Sequence, residues 1–160
     1  MIVIADTSPL NYLIRIGHID LLPQLYDQIV IPPSVLAELR RPGAPKTVRD
    51  WIEQPAAWLD IQAPLQTPDI ALLQARLGPG EQEAILLAQE VKADEIIIDE
   101  LRGRREAARR QIRVTGTIGV LQAAAKLGLL DLRSALERLR GTNFRIEKAF
   151  LDRLIRGEEV

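Results

Sequence analysis

The feature that most restricts the fold is a set of short, mostly apolar runs without polar alternation: Ile2-Val3-Ile4-Ala5, Ile29-Val30-Ile31, Trp58 to Ile61, Glu95 to Ile98 and Arg113 to Thr115. A strand with one wet face alternates apolar and polar residues, so runs of this kind suit parallel strands covered on both faces. Between them lie segments with helical spacing, such as Ala84, Ile85, Leu87, Ala88 and Val91, then Ile118, Leu121 and Ala125, then Leu132, Ala135, Leu136 and Leu139. Strands alternating with helices predict an α/β domain. Ser8-Pro9 predicts an N-cap followed by proline at the first helical position, Thr67-Pro68 repeats the arrangement, Pro79-Gly80 precedes another helix, and Asp131 is placed to cap the one after Leu130. Residues 40–45 and 62–67 read as loops too short to be linkers, and no repeat is visible.

The chain has 160 residues, 47% of them hydrophobic, which is enough for one domain, 1–160, to bury a core without disulfides or structural metal. The absence of cysteine excludes thiolate zinc and iron–sulfur chemistry and suits a reducing cytoplasm. The apolar start is cut off at Asp6, too short for a signal-peptide core or a membrane span. A net charge of −1 argues against coating nucleic acid by bulk electrostatics and leaves room for a local basic patch.

In a parallel sheet, ligands bind beyond the carboxyl ends of the strands where strand order reverses. Asp6 follows the first run at once, and Asp99 follows Ile96-Ile97-Ile98 in the same way. Two more acids can reach that rim from helices: Glu38, after Ile31-Pro32-Pro33, and Glu81, in the first turn after Gly80, where a helix dipole favours negative charge. Singly, each has an ordinary explanation. Asp6 can cap the turn at Ser8-Pro9, Glu38 can be a solvated helix position, Glu81 a first-turn acid and Asp99 an exposed turn. Together they need an offset, because two unit charges roughly 4 Å apart repel by about 4 kcal/mol at an effective dielectric of 20. With no cysteine and one histidine, the offset of choice is an oxygen-bound hard cation, Mg²⁺ or Mn²⁺ rather than Zn²⁺. Such ions bind phosphate oxygens and activate water, so the implied reaction is phosphodiester hydrolysis.

Five segments, Asp6-Thr7-Ser8-Pro9-Leu10, Ile31 to Leu39, Gly80-Glu81-Gln82-Glu83-Ala84-Ile85, Ile97-Ile98-Asp99-Glu100 and Gly116 to Leu121, resemble in order the motifs of PIN-domain proteins. They look most like a prokaryotic branch related to the VapC toxins of toxin–antitoxin pairs. The resemblance implies a three-layer α/β/α sandwich around a parallel sheet, Mg²⁺ or Mn²⁺ on clustered acids, endoribonuclease activity on RNA, a cognate antitoxin and a homodimer. By position, Asp6, Glu38 and Asp99 match the family's metal-binding acids, and Ser8 matches a polar residue beside the metal. Glu81 stands where many members have Asp, which leaves Glu83 as the other residue able to point inward. Glu100 stands where relatives often have a second Asp. These departures keep a second reading open, a PIN-like module that binds protein or RNA with little catalysis.

From Arg102 to Arg113 the chain carries six arginines, and on a helix Arg102, Arg105 and Arg109 share one face. That strip is a candidate for RNA phosphates or an antitoxin segment; the plainer explanation is a solvated helix partnered by Glu106. His18 reads as a capping or solvent-facing residue, and Trp51 and Trp58 as packing residues rather than base-stacking ones. A phospho-accepting receiver would want paired acids after the first strand and a late lysine, whereas Lys126 is placed inside a helix; an aspartate-nucleophile phosphatase would want Asp where Ser8 stands. Gly116-Thr117-Ile118-Gly119 lacks a phosphate-cradling pattern, so no nucleotide cofactor is expected.

Overall fold

The computed structural model describes residues 1–157. Its centre is a five-stranded, all-parallel sheet of β1 (Ile2–Ala5), β2 (Gln28–Ile31), β3 (Leu59–Ile61), β4 (Glu95–Ile97) and β5 (Val114–Thr115), in the order β3-β2-β1-β4-β5. All five runs read as strands are strands, with ends moved by a residue. Neighbouring side chains along the central strands go to opposite faces, and both faces are dry. Val3, Ala5, Ile29, Ile31 and Ile97 join one core, while Ile4, Val30, Ile96 and Ile98 join another. Full burial of each large side chain contributes about 1.5–3 kcal/mol, which is why these runs carry no polar alternation.

The first face is covered by α1 (Thr7–Arg15), α2 (Leu21–Leu25), α3 (Pro33–Arg40), α4 (Lys46–Glu53), α8 (Thr117–Lys126), α9 (Leu132–Arg140) and α10 (Lys148–Ile155). The second is covered by α5 (Ile70–Gln74), α6 (Pro79–Glu90) and α7 (Leu101–Arg109). The α/β/α layering expected from the sequence is therefore present. The spacing of Phe150, Leu151, Leu154 and Ile155 predicts a helical segment from Glu147 to Val160; it contains α10, and residues 158–160 lie outside the described ones. Among the described residues no helix is long and apolar enough to cross a membrane.

Three helix starts differ from the sequence reading, and the mildest is α6, which Pro79 and Gly80 open rather than precede. Asp6, not Ser8, is the N-cap of α1, so Pro9 sits inside the first turn, where its missing N–H is one of the donors that lack a helical partner anyway. Asp69, not Thr67, caps α5, accepting from the Leu72 N–H at 2.8 Å. Asp131 caps α9 as expected. Lys126 closes α8 rather than lying inside it. The receiver reading gains nothing from this, because the opposite end of α8 faces the rim, roughly 15 Å away at 1.5 Å per residue.

The arginine run is split in two by the fold. Glu106 is buried and Arg110 partly so; Arg110 forks onto Asp69 at 2.8 and 2.9 Å, reaches Gln89 at 2.8 Å and pairs with Glu106 at 2.9 Å, tying α7 to α5 and α6. Arg109 makes its 3.2 Å pair with Glu106 from solvent. Removing one partner of a buried ion pair strands the other, at a cost of about 3–5 kcal/mol. Arg110→Ala is expected to lower the melting temperature by on the order of 10 °C. Arg109→Ala should change it by little more than a degree. Differential scanning calorimetry on both variants checks the contrast; equal shifts would mean that the network does not clamp the helices.

Candidate active site

Strand order reverses between β1 and β4. The chain runs outward from β1 through β2 to β3 and then returns to place β4 on the other side of β1, opening a crevice beyond the carboxyl ends of these two strands. Ala5 lies opposite Ile97, and the Asp6 N–H donates to the Ile97 carbonyl at 2.9 Å. The acids that follow, Asp6 and Asp99, are set at one rim by that pairing.

Asp6 is 4% exposed, and its Oδ1 is buried without a hydrogen-bond partner. Burial pushes its carboxyl up to about 8, against the pull of the Thr7 N–H; the nearby charges of Glu81, Glu38 and Asp99 raise it further. Asp99 is held by hydroxyls: it accepts from the Thr117 N–H and Oγ1, each at 2.7 Å, and from Ser8 Oγ at 3.1 Å. Glu38 accepts from the Thr7 hydroxyl and from the Gly80 N–H, the latter at 3.2 Å. Both glycines here are close-approach positions. A Cβ on Gly80 would lie 2.8 Å from Glu38 Oε1, and one on Gly116 would lie 2.8 Å from Asp99 Oδ1.

Glu81, in the first turn of α6, is pushed up to about 7 by burial first and then by Glu100 and Glu38, with Arg102 pulling the other way. Glu83, on the same helix, accepts from the Ser34 hydroxyl and lines neither cleft at the rim. Glu100 caps α7 beside Glu81. The rim thus gathers Asp6, Glu38, Glu81 and Asp99, with Ser8 between them and Glu100 at the edge.

Arg102, Arg105 and Arg109 are exposed on the outer side of α7. The arginine that lines the crevice is Arg104, which the sequence reading passed over; it donates to the Ile98 carbonyl at 3.0 Å. Its signal was its position, one turn after Glu100 on the helix that starts at the rim. His18 is half-buried near Arg138, and burial lowers its pKa. Trp51 and Trp58 lie tilted against each other, 5.7 Å between ring centroids, and pack against the core.

Two clefts meet over the acids. A smaller one of roughly 420 Å³ runs between α1 and the residue 41–45 loop, past Asn11, Glu38 and Arg41. A larger one of roughly 770 Å³ runs past Asp99, Arg104 and Gly116 toward Phe144 and Phe150. Both include Asp6, Ser8, Tyr12 and Glu81.

The family model described as DUF3368, PIN domain, matches residues 2–159. The chain belongs to the PIN-domain family. Among solved structures, this PIN domain is similar in fold to a PilT N-terminus domain protein from the hyperthermophilic archaeon Sulfolobus solfataricus P2, at 15% identity and a TM-score of 0.56, over 78% of this chain and 93% of that one. No curated protein matches the chain. A PIN domain is a nuclease-type fold.

The donor set suits a hydrated hard cation. It is all oxygen, and Asp6 Oδ1 is a buried acceptor without a donor. Among the described residues no three acids are arranged as a ready-made metal cage. Mg²⁺ does not require such a cage, as it keeps several waters and takes one or two carboxylates.

Asp6 carries a testable consequence for stability. Above its ordinary value of 3.8 the unfolded chain releases this proton, whereas the folded chain keeps it to about 8. Folding therefore weakens as pH rises through that window, and Glu81 adds the same sign up to about 7. In EDTA, wild-type melting temperature should fall between pH 5 and pH 8. Asp6→Asn should flatten the fall and melt several degrees above wild type at pH 8. A steeper fall in the variant would refute this assignment of the proton.

Proposed function

We propose that this PIN domain is a metal-dependent endoribonuclease, with Asp6, Glu38, Glu81 and Asp99 as the residues that would hold Mg²⁺ or Mn²⁺. The observation that carries the reading is Asp6 Oδ1, a carboxylate oxygen buried at the strand-order reversal with no donor to satisfy it. Nothing in the core needs a carboxylate there, and the unpartnered oxygen costs stability unless a cation meets it. When bound, such an ion supplies an activated water and neutralises charge on the phosphate.

The chain's own groups have definite parts in this reading. Thr117 and Ser8 fix the orientation of Asp99, and Thr7 with the Gly80 N–H fixes Glu38. Arg104 stands beside Asp99 to take a phosphate oxygen. The outer arginines Arg102, Arg105 and Arg109 offer longer-range attraction to the RNA backbone. Family membership supports the further reading that the chain is the toxin of a toxin–antitoxin pair whose antitoxin covers the crevice.

A second reading is favoured by two observations: Asp99 already has three donors on its two oxygens, and Glu81 turns toward Glu100. On that basis the domain binds RNA or protein with little catalysis. The assay that separates the two is incubation of the purified chain with a mixed structured RNA pool in Mn²⁺ or Mg²⁺, beside EDTA and the Asp6→Asn and Asp99→Asn variants. Cleavage is expected with metal only, and the variants should lose at least a hundredfold in rate, roughly the loss of a major transition-state contact. Equal cutting by wild type and variants would sink the nuclease assignment, and no cutting by any of them would leave the binding module.

A further inference from the structure

The larger cleft has a wall that the acids do not account for. Phe144 and Ile146, from the loop after α9, and Phe150 of α10 line it opposite Ile118 of α8. All four are only partly buried against the core. The loop is pinned to α1, because Tyr12 Oη and Arg15 donate to Asn143 Oδ1 at 3.1 and 2.7 Å, and the Phe144 ring stands edge-on to Tyr12 at 4.9 Å between centroids. With its oxygen doubly engaged, Asn143 keeps its NH₂ group for a ligand, and Gln122 brings a second amide to the same cleft.

Arg104 and Arg145 line the cleft as well, and neither makes an ion pair among the described residues. A purely apolar occupant would cover the Asn143 and Gln122 NH₂ groups and Arg145 without offering them an acceptor. A base inside a duplex has both faces covered by its neighbours, so only an unstacked base can lie on a ring. Aromatic faces, amides and arginines, joined to the acid rim through Asp6, Ser8, Tyr12 and Glu81, match one class of occupant.

We propose that this cleft is a base-binding subsite for an unpaired nucleotide beside the phosphate held over Asp6. Phe144 stacks on the base, Asn143 and Gln122 meet its edge, and Arg104 and Arg145 take its phosphates. The subsite rests on the nuclease reading for its purpose, but its occupancy is measured without cleavage.

The test uses single-stranded RNA oligonucleotides, each with 2-aminopurine at one position, titrated with the full chain in EDTA and in Mg²⁺. Stacking quenches the probe. Wild type is expected to quench it in the single strand and not in the same strand annealed to its complement. Phe144→Leu keeps an apolar contact with Tyr12 and removes the aromatic face; it should weaken binding on the order of tenfold and abolish the quench. Arg145→Gln should lower the salt slope by about one. Melting curves check that both variants fold.

Absence of quench with wild type at every position overturns the subsite, and so does an undiminished quench in Phe144→Leu, which would leave the wall for a protein segment. Quench without cleavage in Mg²⁺ or Mn²⁺ upholds the subsite while removing the nuclease reading. Cleavage without quench does the reverse.

Discussion

The pairing of β1 with β4 is the contact on which the site depends. These strands are neighbours in space, and the chain that joins them passes through two strands and six helices before returning to the other side of β1. Such a return is slow to form, because the loop-closure entropy is met before the long-range contacts offset it. Once formed, it fixes the first residue after β1 against the last of β4 by a backbone hydrogen bond. Asp6 then has no freedom to swing into water, and its burial follows from the sheet rather than from its own side chain.

That burial is tolerated through an unequal sharing of donors. Asp99 and Glu38 each accept from hydroxyl and backbone N–H groups, which spread their charge locally. Asp6 has the Thr7 amide in its favour and no donor on Oδ1, while Glu81 is turned toward another acid. Two carboxyls supplied with donors thus flank two whose proton affinity is raised. A cluster with that division is unsettled as long as it holds only protons, and a divalent cation relieves both raised groups at once.

Much of this was legible beforehand because the strands are buried on both sides, and burial on both sides leaves an unbroken apolar run in the sequence. Asp6 and Asp99 could be placed because they end such runs. Helix starts were less legible: Ser8 and Thr67 are plausible caps in isolation, but tertiary contacts drew Ser8 onto Asp99 and moved the cap of α5 to Asp69. The arginine run misled in a different way. Spacing identified the exposed face correctly, yet the residue facing the crevice is Arg104 and the one holding the helix is Arg110, distinctions that depend on what α5 and α6 place beside α7. The helical spacing around Phe150 marked a segment able to pack back on the domain or on a partner, but nothing in the sequence signals that Phe144 forms a wall tied to α1.

The anchoring of that wall divides the labour of the chain. Every rim acid comes from residues 6–100, whereas the aromatic face of the larger cleft comes from residues after 140 and is tied down through Asn143 to two side chains of α1. An anvil and a jaw made from separate stretches of sequence can vary independently. Substitutions between residues 143 and 150 are free to reshape what the cleft admits while the acids, the strand pairing beneath them and the hydroxyls that steady them stay as they are.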